Sequence, residues 1–158
     1  MVGTESSADT SPPSRAGWGP NSRAAFLADA TSGARNAAVI TEGLLLYLSR
    51  QQVGALADDL RRNEISGWIT DLLAPVIVRG MMRRMPSLEK APMTFEPADG
   101  IAFFERRGWS VGTIRTIHRY AGLWKRLPTV LRPAAHIPDC NPRKLAYLPW
   151  SAVVRFDR

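Results

Sequence analysis

Glu42 stands directly before Gly43 in the run Val39-Ile-Thr-Glu-Gly-Leu-Leu-Leu-Tyr-Leu48, and that order has chemical content. The residues ahead of it, Ala37 to Thr41, read as a buried strand whose apolar run suits a parallel sheet covered on both faces. A carboxylate at the carboxyl end of such a strand sits where open α/β sheets bind their ligands. It can accept hydrogen bonds from a ligand amine or hydroxyl, while Gly43 lets the backbone turn sharply or approach the ligand closely. The competing reading makes Glu42 a solvated loop residue and Leu44 to Leu48 plain core.

Other reactive side chains do not assemble into a site. His118 and His136 are far apart, and with Cys140 they give too few ligands at the wrong spacing for structural zinc. Cys140 with either histidine is equally poor as a nucleophile and base. No serine stands in a G-x-S-x-G elbow, and no glycine-rich phosphate loop with its lysine is present. The methionine-rich stretch from Val78 to Met85 reads as core rather than as a binding groove. The arginine-rich stretches Arg79 to Arg84 and Arg115 to Arg126 read as solvated faces.

The elements that would position Glu42 alternate along the chain. Residues 1–22, rich in Ser, Thr, Pro, Gly and Ala, read as a flexible tail with Trp18 as its one large side chain. Arg23 to Ala30 is a short helix ended by Gly33, and Ala37 to Thr41 is the first strand. Ser49-Arg-Gln-Gln52 is a capping box that opens a helix with Val53, Leu56, Ala57 and Leu60 on one face, Arg61 and Arg62 in its last turn and Asn63 at its end. Ile65 to Leu73 is a second strand, and Pro75 starts a helix striped by Val78, Met81, Met82 and Met85 and closed by Pro86. Residues 87–98 are loop around an extended piece, Met93 to Phe95. Asp99 is placed to cap a helix from Gly100 to Arg107, with Gly108 in the left-handed position after it. Trp109 to Ile117 is a strand, Tyr120 to Leu127 a helix, and Leu145 to Phe156, interrupted near Pro149, a last strand firmest from Ser151. Such alternation predicts an α/β fold with a largely parallel sheet, a partial domain over residues 23–158.

Composition bounds the possibilities. A chain of 158 residues with 45% hydrophobic residues, five Trp and five Phe is enough for one core. The single cysteine excludes an intrachain disulfide and fits a cytoplasmic protein. No signal peptide is expected at the start. The longest apolar stretch, Ala37 to Leu48, falls short of the ~20 residues that cross a bilayer, so no membrane partner is expected. The net charge of +7 is concentrated after residue 60. Because 18 of the 21 basic residues are arginine, this excess is a weak argument for nucleic acid.

Glu42-Gly-Leu-Leu-x-Tyr-Leu48, followed by a polar helix start, resembles the leucine carboxyl methyltransferase family of class I S-adenosylmethionine-dependent methyltransferases. Further segments are similar to it in the same order: Trp68-Ile-Thr-Asp71, Phe95-x-Pro97, Phe103-Phe-x-x-x-Gly108-Trp109 and Ser151-Ala-Val-Val-Arg-Phe156. The resemblance implies a Rossmann-like sheet, mostly parallel with an antiparallel last strand. It implies S-adenosylmethionine as cofactor, contacted by Glu42 and flanked by Gly43 and Leu44, with Tyr47 packed behind. The acceptor it implies is a small molecule bearing an oxygen, commonly a carboxylate; it supplies no catalytic base.

The family's first strand and glycine-rich cofactor loop have no counterpart ahead of Glu42. Gly17-Trp-Gly19 lacks an apolar strand before it, and Ala16 and Gly17 fall where the family has Asp-Leu. The expectation is therefore a truncated methyltransferase, with the activity of this chain by itself left open. The alternative is a non-catalytic interaction module or inactive fragment derived from that fold, which would self-associate through an exposed sheet edge.

Overall fold

The computed structural model describes residues 20–62, 64–84, 91–124, 140–145 and 148–158. The expectations for residues 1–19 (Trp18 and Gly17-Trp-Gly19 included), Asn63, Met85 to Lys90 and Lys125 to Asp139 (His136 included) lie outside them.

The described elements are α1 (Pro20–Ala30), β1 (Ala37–Thr41), a 3-10 turn (Leu45–Tyr47), α2 (Arg50–Asp59), β2 (Ile65–Leu73), α3 (Pro75–Arg84), α4 (Ala102–Glu105), β3 (Ser110–Thr116), α5 (Ile117–Leu123) and β4 (Ser151–Asp157). The fold is α/β around a four-stranded sheet of order β1-β2-β4-β3. β1 pairs parallel with β2, while β4 lies antiparallel to both β2 and β3. Three strands thus share one direction and the last runs against them. Because β4 is inserted between β2 and β3, only the β1–β2 pairing is parallel, fewer than a largely parallel sheet implies.

One face of the sheet carries the core. Trp68, Leu72, Ala152, Val154 and Phe156 point into it, and Val53, Ala57, Leu60, Phe103 and Phe104 come down on them. Trp68 is its hub: its ring centroid lies 5.3 Å from Phe104 and 5.6 Å from Trp109, both edge-on. Trp109 Nε1 donates to the Ala57 carbonyl at 3.0 Å, tying the residue just before β3 to α2. The Ser49 capping box forms in full, with Gln52 N–H donating to Ser49 Oγ and Ser49 N–H to Gln52 Oε1.

The opposite face is only partly covered among the described residues, with α5 beside Val153. Ile40 is 70% exposed and Val153 40%. A parallel strand covered on both faces was expected at β1. Among the described residues it is instead an edge strand covered on one, because α2 packs on the Trp68 side and α1 packs on α2 through the Arg23–Asp59 ion pair.

Several boundaries differ from expectation. α1 starts at Pro20, inside the stretch read as tail. α2 stops at Asp59, so Arg61 and Arg62 lie beyond its last turn. α4 is one short turn without a side-chain cap. Asp99 does not cap it because its carboxylate is drawn away by Arg50 and Arg106. α5 begins at Ile117, directly from β3. Met93 to Phe95 forms no strand of the sheet: Thr94 N–H and Phe95 N–H both donate to the Leu46 carbonyl.

Candidate functional site

β1 and β2 run parallel with Thr41 opposite Thr70, so the carboxyl end of β1 lies beside β2, which continues to Leu73. Glu42 follows β1 while Asp71 is still within β2, and the two carboxylates stand on neighbouring strands where β1 ends. Their environments differ. Glu42 is exposed, with no hydrogen-bond or ion-pair partner among the described residues. Asp71 is half-buried, and its Oδ1 accepts from Gly43 N–H at 2.8 Å.

That bond fixes a turn only glycine takes readily. Gly43 has φ +63°, where a side chain would be strained, and nothing crowds the space a Cβ would enter. The turn is also held from behind. Trp68 Nε1 donates to Thr41 Oγ1 at 2.9 Å within the core, and Leu45 and Leu46 are buried in the turn that follows. Glu42 is therefore an unpaired carboxylate on a rigid mount, suited to accepting hydrogen bonds from a ligand amine or hydroxyl.

Leu44 is 45% exposed beside it and offers an apolar contact. Tyr47, expected to pack behind the site, is also 45% exposed. Leu45 and Leu46 fill the space behind it instead, since the 3-10 turn directs Tyr47 outward. The structure thus brings Glu42, Gly43 and Leu44 together on one turn and leaves Tyr47 out of its packing.

Cross-strand register extends the site across the sheet. Asp71 lies opposite Val153 on β4, and Val153 lies opposite Arg115 on β3. Side chains alternate along a strand, so these three share the open face, opposite Trp68, Thr70 and Leu72. The row carries a carboxylate, an apolar residue and a guanidinium, with Asp71 and Arg115 two strand spacings apart, about 10 Å. Sequence reasoning used Asp71 only as part of a strand and Arg115 only as a solvated charge. A charged residue inside an otherwise uncharged strand was the signal available for both.

No group of three or more His, Cys, Asp or Glu side chains suited to a metal ion occurs among the described residues. None of their helices is long and apolar enough to cross a membrane. In comparisons with known proteins, no family model matches this chain and no curated protein matches it.

Proposed function

We propose that this chain carries the C-terminal portion of an S-adenosylmethionine-dependent methyltransferase domain, with Glu42, Gly43 and Leu44 as cofactor contacts. The observation that supports it most is the unpaired Glu42 carboxylate on a glycine turn at the carboxyl end of a parallel strand. The antiparallel last strand, β4, agrees with the sheet that the sequence resemblance implies.

Glu42 would accept hydrogen bonds from the cofactor, Gly43 would let it come close to the backbone, and Leu44 would give an apolar contact. S-adenosylmethionine, when bound, supplies a methyl group activated by its sulfonium. The acceptor is a small molecule with a carboxylate, ionised near neutral pH, so the chain need supply no base. Its own residues bind and orient, which is where most of the rate gain for such a transfer arises.

Isothermal titration of S-adenosylmethionine into the chain and into Glu42→Gln tests this reading. Binding weakened about tenfold by the substitution, or ~1.4 kcal/mol, supports it; equal affinity for both proteins, or no binding to either, rejects it.

A second reading, a non-catalytic interaction module, is favoured by the open sheet face, where Ile40 is 70% exposed on edge strand β1. Such an edge can add a strand from a partner or from a second copy.

A further inference from the structure

A groove of about 460 Å³ opens between α5 and the β3–β4 part of the partly covered sheet face. Its walls are Ile117 and Ala121 from α5, Trp124 just after it and Val153 from β4, with Arg115 and Tyr120 at the polar end. The size falls within the roughly 300–1,000 Å³ typical of small-molecule sites. Trp124 is 66% exposed, Ile117 43% and Val153 40%, so the apolar walls face water.

The polar end has a definite chemistry. Arg115 donates to the Tyr120 hydroxyl and lies 5.4 Å from the centre of its ring. No carboxylate among the described residues pairs with it, and a guanidinium has donors to spare beyond that single bond. The Tyr120 hydroxyl, accepting from Arg115, keeps its own proton to donate. Two convergent donors, one of them a full cation, therefore border an apolar slot. Trp124 stands edge-on to Tyr120 at 5.8 Å and extends the aromatic wall.

We propose that this groove binds a carboxylate borne on a flat apolar or aromatic body, with the carboxylate held by Arg115 and Tyr120 and the body laid against Trp124, Ile117 and Val153. As the seat of a methyl acceptor it rests on the methyltransferase reading; as a carboxylate site it does not.

The test titrates the whole chain, without S-adenosylmethionine, with 2-naphthylacetate and with its neutral analogue 2-naphthylacetamide, followed by amide NMR. The acid binds roughly tenfold tighter than the amide, and shifts concentrate in β3, α5 and around Val153. Arg115→Met brings the acid down to the affinity of the amide and leaves the amide unchanged. Trp124→Ala weakens both. Equal affinity of acid and amide for the unaltered chain overturns the proposal, as does binding of neither or acid binding that survives Arg115→Met. The comparison of the two probes needs no variant, so it stands even if a substitution disturbs folding.

Discussion

Gly43 N–H donates to Asp71 Oδ1 at 2.8 Å, joining the turn after β1 to the neighbouring parallel strand β2 through a side chain rather than through the sheet ladder. The bond holds the backbone in the left-handed conformation that carries Glu42 on one side and Leu44 on the other. Asp71→Ala removes the acceptor and leaves the half-buried N–H to find water. We expect a loss of about 1–3 kcal/mol in urea unfolding and faster hydrogen exchange at Gly43, with Asp71→Asn restoring part of both. Unchanged exchange at Gly43 in Asp71→Ala would show that the turn is held by other contacts.

Glu42 behaves in the opposite way. It is exposed and has no partner among the described residues. Glu42→Gln therefore changes stability by no more than about 0.5 kcal/mol, measured by thermal unfolding, while any ligand anchored there is lost. A large drop in stability would mean that the carboxylate is structural.

The strands were legible in the sequence because their hydrophobic runs are bounded by turn residues. β1 and β2 span the residues expected, and the Ser49 capping box forms as its spacing requires. Coverage was not legible. An apolar five-residue strand looks the same whether one face or both are packed, so the exposure of Ile40 had no local signature. Glu42 and Gly43 could be singled out because they follow one another. Asp71 joins the site through the β1–β2 register and the Gly43 bond, and Arg115 only through the insertion of β4 between β2 and β3.

Gly100 is the position least tolerant of a side chain. It has φ +51°, and a Cβ there would run into the Pro142 carbonyl oxygen and the Leu145 side chain. Strain and overlap act together, so Gly100→Ala should lose about 2–4 kcal/mol in denaturant unfolding. A loss under about 1 kcal/mol would show that the Pro142 segment yields easily.

Trp68 supports core and site at once, since it is fully buried and its indole N–H reaches Thr41 beside Glu42. Trp68→Ala should cost about 3–5 kcal/mol through the cavity it leaves. Thr41→Val keeps the shape and removes the acceptor, so a smaller loss of about 1–3 kcal/mol is expected. Calorimetric unfolding of both variants checks the order.

Asp99 gives stability an acid dependence. Partial burial raises its pKa, but hydrogen bonds from Arg50 and Arg106 outweigh that and hold it below the ordinary value. A carboxylate with a depressed folded pKa contributes stability above its unfolded value, and the contribution fades as pH falls through the folded one. Asp99→Asn should therefore destabilise the protein at pH 7 and flatten its loss of stability below about pH 4. Its carboxylate is a quarter exposed and both arginine partners are more than half exposed, so solvent screening keeps the effect modest. Parallel pH slopes for both proteins would remove Asp99 as a contributor.

The most direct measurement is an amide NMR correlation spectrum of the chain, recorded with and without S-adenosylmethionine. The expected result is a dispersed spectrum in which Glu42, Gly43, Leu44 and Asp71 shift in a saturable way, and in which Glu42→Gln abolishes the shifts. A dispersed spectrum in which those amides stay fixed at saturating cofactor would contradict a cofactor site on the Gly43 turn.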